Sequence, residues 1–319
     1  MKINIGIVGY GNLGKAVERN LLTSKDFNLV AIFSRRLIKS NFNTPVESYE
    51  NFVNYKNKID IMLLCGGSKS DLEIQTPEIS KYFDTINTFD NHSKISSEYK
   101  KLNKLAKSSN RRIIICSGWD PGIFSMIRGL FLAISKQESY TFWGKGISMG
   151  HSDAIRQVHN VDDGIQFTIP NKDAIKLARN GKLDNNTSRH FRECFVCADK
   201  KHQTKIESTI KNIPNYFKGQ PTKVNFVSAE KVMKLKSNMS HKGFIINSFK
   251  TAAGSKCKME FSVSMKSNPE FTSRIVIAYT RAVINLKNKN VSGAFTSLNI
   301  PISYLFKQEE QSRLFDTIC

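Results

Sequence analysis

The sequence predicts an α/β protein in two parts. A doubly wound parallel sheet comes first, then an α+β domain with a mixed or antiparallel sheet. Three observations predict this. The glycine motif Gly9-Tyr10-Gly11-Asn12-Leu13-Gly14 follows an apolar run at the start of the chain and opens a helical pattern. Short apolar runs alternate with helical stretches through the first third, as in a parallel sheet covered on both faces. After about residue 120 the apolar runs alternate with polar residues, as half-exposed strands do.

Ile3 to Val8 is the first strand, and a helix runs from Lys15 to about Leu22. Phe27 to Phe33 is the second strand. Ile59 to Cys65 is the third, followed by a helical stretch ending near Phe83. Asp84 to Phe89 is the fourth. A helix near Ser97 to Lys107 puts Tyr99, Leu102, Leu105 and Ala106 on one face. "RIIIC", closing at Cys116, is the fifth strand. In the second part "QFTIP", "CFVCAD", "KVNFVS", "GFIINSF" and "MEFSVSMK" read as strands. Phe271, Ile275, Ala278, Tyr279, Ala282, Val283 and Leu286 then recur at helical spacing. Asn268 suits the N-cap of that helix and Pro269 its first turn. The helix reads as packing back on the first part, so the expected domains are 1–118 with about 269–319, and about 119–268.

Bulk properties narrow the function classes. A chain of 319 residues suits about two domains. No apolar run approaches the roughly 18 residues of a membrane span. The chain opens directly on the glycine motif without a signal-like apolar core, so the expectation is a soluble cytoplasmic protein. The net charge of +21 comes from lysines spread along the whole chain. It reads as solvated surface with a minor share at an anion site. The densest basic stretch, "EKVMKLKSNMSHK", has no zinc-finger or RNA-binding signature around it, which argues against a nucleic-acid partner. Cys65, Cys116, Cys257 and Cys319 stand apart. Cys194 and Cys197 would point to opposite faces of a strand, so reduced thiols are expected and no metal site.

The glycine motif sits where a dinucleotide fingerprint requires it, between a first strand and a first helix. Gly9 permits the turn, Gly11 lets a pyrophosphate approach the backbone, and Gly14 lets the helix pack close. Tyr10, Asn12 and Leu13 fill the motif. The first domain is therefore of the Rossmann type. At the end of the second strand an NAD enzyme usually carries an acid. This chain has Ser34-Arg35-Arg36, a hydroxyl and two guanidiniums that suit a 2′-phosphate, so NADP is expected. Cys65-Gly66-Gly67-Ser68 closes the third strand, with glycines that allow the cofactor near.

Ligands of open parallel sheets bind beyond the carboxyl ends of the strands. Asp90 and Asp120 both fall there. Each reads either as a loop acid or helix cap, or as a carboxylate that takes a proton from an amine before hydride leaves its carbon. Trp119 would add a flat apolar wall.

These residues resemble the meso-diaminopimelate dehydrogenase family over nearly the whole chain. The resemblance is carried by "GIVGYGNLG", "FSRR", "TFDNH", "SGWDPGIFS", "FWGKGISMGHSDAIRQV", "QFTIP", "CFVCAD", "NPEFT" and "SGAFT". It implies an NADP-dependent homodimeric oxidoreductase of lysine and diaminopimelate biosynthesis. The reaction it implies takes the D-centre of meso-2,6-diaminopimelate reversibly to L-2-amino-6-oxopimelate, which cyclises to tetrahydrodipicolinate, and ammonia. It implies that Asp90, Asp120 and Trp119 surround the reacting carbon and that Met149 and Gly150 line the pocket. It further implies that Thr168, Arg192, His241 and Asn268 hold a carboxylate or the distal centre. The second domain would then bind substrate and form the dimer. Lys145 and Lys242 depart from the family pattern, standing where Pro and Gly are expected. A broader D-amino acid dehydrogenase, a related reductase and a non-catalytic NADP sensor are the competing readings.

Overall fold

The computed structural model describes residues 2–68, 70–214, 216–237 and 239–318, so Cys319 lies outside the described residues. In chain order the strands are β1 (Ile3–Val8), β2 (Phe27–Ser34), β3 (Val46–Ser48), β4 (Ile61–Leu64), β5 (Asp84–Asn87), β6 (Arg112–Ile114) and β7 (Tyr140–Trp143). They continue with β8 (Gly146–Ile147), β9 (Asp163–Pro170), β10 (His190–Cys197), β11 (Thr222–Phe226), β12 (His241–Lys250), β13 (Lys256–Met265) and β14 (Gly293–Phe295). The helices used below are α1 (Asn12–Leu22), α2 (Leu72–Ile79), α3 (Ile95–Ser108), α4 (Ile123–Ser135), α5 (Met149–Arg156), α6 (Lys172–Arg179), α7 (Gln203–Lys211), α8 (Ala229–Lys236) and α9 (Asn268–Asn288).

The chain divides into two compact units: residues up to Met126 together with those from Pro269 onward, and Ile127–Asn268. The first holds a seven-stranded sheet in the order β14-β6-β5-β4-β1-β2-β3. Every neighbouring pair is parallel. The strand order reverses direction at β1, which puts a ligand crevice at the carboxyl ends of β1 and β4. Its core gathers Val8, Phe33, Met62, Leu64, Phe83, Leu102, Ala106 and Ile113. Helix α3 contributes Leu102 and Ala106 to that core, with Tyr99 and Leu105 partly buried against it, the face read from the sequence. Helix α9 is tied into the same unit. Arg281 Nε donates to Asp26 Oδ2 at 2.8 Å, and Asn20 Nδ2 donates to Ser273 Oγ at 2.8 Å.

The second unit holds two sheets where one was expected. The first, β11-β10-β9-β8, is mixed, with only β10 and β11 parallel. The second, β13-β12-β7, is antiparallel throughout. Cys194 and Cys197 both lie on β10. Cys194 is buried and Cys197 partly exposed, as opposite faces require.

Several boundaries are corrected. Strands four to six of the chain stop one or two residues before Cys65, Phe89 and Cys116, because those residues turn into the crevice loops. Helix α1 starts at Asn12 rather than Lys15, and α2 stops at Ile79 rather than near Phe83. Asn268 is the first helical residue of α9 rather than a cap before it. Strands β3, β7, β8 and β14 carried no readable run.

Candidate active site

Backbone geometry shapes the crevice of the first unit. Gly9 has φ +88°, a conformation that L side chains rarely adopt. A Cβ on Gly14 would lie 2.2 Å from the Gly9 carbonyl oxygen, so only glycine lets α1 seat there. Nothing lies within 4 Å of a Cβ placed on Gly11, which leaves room for a ligand. Helix α1 starts with no side-chain cap, so its first N–H groups face the crevice as an anion site. The cleft encloses about 490 Å³. Gly9, Tyr10, Gly11, Ser34, Arg35, Arg36, Cys65, Gly66 and Gly67, expected from the sequence to bind the cofactor, line it. Asn12, Leu13, Gly14 and Ser68 do not. Gly14 acts instead as the packing contact, and Ser68 Oγ accepts the Asp90 N–H at 3.1 Å.

Five further residues line it: the strand ends Val8 and Phe33, and Tyr49, Asp71 and Gln75, none of which was read as a site residue. Asp71 stands just before α2 and binds two parts of the cleft. Its Oδ1 accepts from Arg35 Nη2 at 2.6 Å, and its Oδ2 accepts the Gly67 N–H at 3.0 Å. The acid missing from the end of β2 thus arrives from α2, already committed to a guanidinium. Its signal was available: an acid four residues past a Gly-Gly turn, at a helix start. Ser34 closes its own loop, accepting the Arg36 N–H at 3.1 Å and donating to the Arg36 carbonyl at 2.9 Å. Tyr10 donates to the buried Glu18 carboxylate and accepts the Asn41 N–H at 2.8 Å. Burial pushes the Cys65 thiol up to about 12, so it is a wall rather than a nucleophile.

Trp119 and Asp120 follow β6 in a tight fold of the chain. The Gly118 N–H donates to the Pro121 carbonyl at 3.1 Å and the Phe124 N–H to the Trp119 carbonyl at 2.9 Å. Gly122 has φ +145°, and a Cβ there would lie 1.8 Å from the Gly118 oxygen. The indole packs edge-to-face on Phe124, centroids 5.0 Å apart, which fixes its plane. Asp90 lies in the loop between β5 and α3. Burial, with the Asp90 charge adding to it, pushes the Cys116 thiol up to about 12, so Asp90 and the base of this loop share one neighbourhood.

The second unit assembles a polar wall. Thr168 on β9 pairs in register with Arg192 on β10, and its Oγ1 accepts from Arg192 Nη1 at 2.9 Å. Arg192 Nε is buried and has no hydrogen-bond partner. Gly146 on β8 lies opposite Thr168, and a Cβ on Gly146 would sit 2.2 Å from His241 Cδ2. The His241 ring therefore rests flat on Gly146. Its Nδ1 bonds the Lys242 carbonyl at 2.8 Å, which puts the proton on Nδ1, and burial lowers its pKa. The Asn268 N–H donates to the Met239 carbonyl at 2.9 Å, two residues from His241. Met149 opens α5 and is 45 % exposed, with Gly150 beside Tyr216. Behind them His151 Nδ1 bonds Ser148 Oγ at 2.7 Å. Burial first, then the Arg192 charge, lowers His151 to about 4. Gly146 and His151 were not read as site residues. "GKG" and "GHSDA" flagged the segments, but not which side chain each glycine seats. Among the described residues no group of three or more His, Cys, Asp or Glu is placed to hold a metal.

Residues 118–267 match the family described as the diaminopimelic acid dehydrogenase C-terminal domain. The chain is 43 % identical to a meso-diaminopimelate D-dehydrogenase of Ureibacillus thermosphaericus over 95 % of each chain. It superposes on a C. glutamicum DAP dehydrogenase in complex with DAP with a TM-score of 0.94 at 34 % identity, covering 100 % of this chain and 99 % of that one. An engineered D-amino acid dehydrogenase bound to NADP+ matches with a TM-score of 0.91 at 33 % identity, over 100 % of both chains.

Proposed function

This chain belongs to the meso-diaminopimelate D-dehydrogenase family, and on that premise we propose that it carries out NADP-dependent oxidative deamination of the D-centre of meso-2,6-diaminopimelate. The products are L-2-amino-6-oxopimelate and ammonia, and the reaction is reversible. One observation carries the reading: full-length identity to the family's dehydrogenases joins a cleft with arginines at the end of β2 to a polar wall centred on Arg192.

NADP+, when bound, supplies the hydride acceptor. Ser34, Arg35 and Arg36 suit its 2′-phosphate, and the amides of Gly11 and the start of α1 suit its pyrophosphate. Asp90 and Asp120 attract the substrate ammonium and accept the proton that the amine must lose before its carbon gives up hydride. Water then adds to the C=N carbon, and ammonia leaves. Trp119 supplies the apolar wall that orients the reacting carbon. Arg192 takes a carboxylate of the substrate, while Thr168 steadies the guanidinium. His241 and Asn268 hold a substrate carboxylate or the distal centre, and Met149 and Gly150 line the pocket beside the reacting carbon. The division of labour assigns the cofactor, Asp90, Trp119 and Asp120 to the first unit, and the remaining substrate-binding groups and dimerisation to the second. A homodimer in the cytoplasm, without nucleic-acid or membrane partners, completes the reading. No helix among the described residues is long and apolar enough to cross a membrane.

Purified protein given NADP+ and meso-diaminopimelate should raise the near-ultraviolet absorbance of reduced nicotinamide. A trace no steeper than a boiled control, from folded protein that binds NADPH, would sink the reading.

A further inference from the structure

Glu18 lies on the buried face of α1, fully enclosed. A buried carboxylate is costly unless its oxygens are hydrogen-bonded. Both are: the Tyr10 hydroxyl donates to Oε2 and the Ser40 hydroxyl to Oε1. Because the carboxylate takes both hydroxyl protons, the two hydroxyl oxygens are left to accept. Tyr10 accepts the Asn41 N–H at 2.8 Å. Ser40 accepts the Phe42 and Thr44 N–H groups, each at 3.0 Å. One acid on the first helix thus sets the direction of the whole network and ties down the backbone of 41–44.

The segment held in this way follows β2. Arg35 and Arg36, which line the cofactor cleft, are strung between two fixed points. One is Ser34, the last residue of β2, which pairs with Ser48 of β3. The other is Ser40. Among the described residues, 35–45 belong to no helix or strand, and the hydrogen bonds of 35–39 are the Ser34–Arg36 turn and the Arg35–Asp71 pair. The course of this segment is therefore set largely at its ends, and Glu18 holds the far one. Tyr10 belongs to the glycine motif and lines the same cleft, so the latch joins the pyrophosphate turn to the arginine segment. Resting on the NADP reading above, we propose that Glu18 is a positioning residue for the cofactor's 2′-phosphate. Through Tyr10 and Ser40 it holds Arg35 and Arg36 in place and so sharpens selection of NADP over NAD. Without the latch, 35–39 would have to be ordered at the moment of binding. A dinucleotide lacking the 2′-phosphate has no use for that ordering.

The test uses full-length protein and titration calorimetry with NADPH and with NADH. Wild type should bind NADPH more tightly. Glu18→Gln fills nearly the same volume but offers an amide donor to one hydroxyl, which reverses one arm of the network. It should weaken NADPH binding about tenfold, the cost of ordering about one more residue's backbone, and leave NADH within about twofold. Ser40→Ala should do the same, and it decides the matter if Glu18→Gln does not fold. Ser40→Thr keeps the hydroxyl and should retain most of the preference. Equal weakening of both dinucleotides would mean that the latch only supports the fold. That result, an undiminished preference in Glu18→Gln or Ser40→Ala, or a preference lost as fully in Ser40→Thr as in Ser40→Ala, overturns the proposal and leaves the NADP assignment standing. Wild type that fails to bind NADPH, or binds NADH as tightly, would instead overturn the cofactor reading beneath it.

Discussion

Asp120 and His151 carry opposite demands on charge. Asp120 is proposed to accept a proton from the amine, so Asp120→Asn should lower kcat by about 100-fold or more. The affinity for NADPH, measured by calorimetry, should stay within about twofold, because no part of the Asp120 side chain lines the cofactor cleft. Parallel loss of both would assign Asp120 to folding instead. The histidines must stay neutral. Burial, with Arg192 next, lowers His151 to about 4; burial, then Arg192 and Arg189, lowers His190 to about 3. Their folded pKa values lie below the ordinary 6.5, so as pH falls from there the unfolded chain takes up protons that the folded chain refuses. Their neutral burial costs nothing above that pH and is increasingly destabilising below it, by up to about 1.4 kcal/mol per pH unit for each. Asp26, Asp163 and Glu260 are lowered as well, but there the lowering favours the charged form. Burial opposes their ionisation, but cationic hydrogen-bond partners outweigh it, so their stabilisation fades only as pH falls through 3.8 for the aspartates and 4.5 for the glutamate. Urea midpoints between pH 7 and 4.5 therefore isolate the histidines and should fall. A flat profile would contradict the burial account.

Secondary-structure elements position the site through close backbone approaches, and these are testable one at a time. Gly146→Ala would drive a Cβ into the His241 ring. It should raise KM for the amino acid substrate while leaving NADPH binding unchanged. An unchanged KM would detach His241 from substrate binding. Within the parallel sheet, Asp84 on β5 accepts the Arg112 N–H of β6 at 2.8 Å, and Arg112 Nε donates to the Val291 carbonyl just before β14. Both side chains are nearly inaccessible, at 7 % and 3 %. Asp84→Ala strands a buried guanidinium and should cost about 3–5 kcal/mol in urea unfolding. A loss under about 1 kcal/mol would mean the pair is not holding the sheet edge. This layer was unevenly legible in the sequence. The strands that announced themselves, such as Ile3–Val8, are buried runs with a full apolar face. Val46–Ser48 and Gly293–Phe295 have three residues each and are strands only because a neighbour pairs with them. Gly146–Ile147 is shorter still. Gln75 stayed hidden because its place comes from where α2 lands, whereas Asp71, an acid at a helix start after a Gly-Gly turn, had a local signal that went unread. Gly9 to Gly14 and Ser34 to Arg36 were legible because one short segment supplies both the turn and the ligand-facing groups.

Across the chain as a whole, the residues proposed for the site suit one substrate type. A zwitterionic dicarboxylate needs acids for its ammonium and cations for its carboxylates. The first unit holds Asp90 and Asp120, and the second holds Arg192 with its unpaired Nε. The net charge of +21 adds a diffuse attraction for anions, which salt screens, so KM for the anionic NADP+ should rise with ionic strength while kcat holds. The order of "GWDPG" and "GHSDA" behind the glycine motif made the family legible, yet the stereochemistry of the reacting centre came only with that resemblance. That stereochemistry is where the account is most exposed. Separated meso, LL and DD isomers of diaminopimelate, each offered with NADP+, test it most directly. The account predicts rapid NADPH formation with the meso isomer and none with LL, which has no D-centre. Equal rates with meso and LL, or turnover of LL alone, would contradict it.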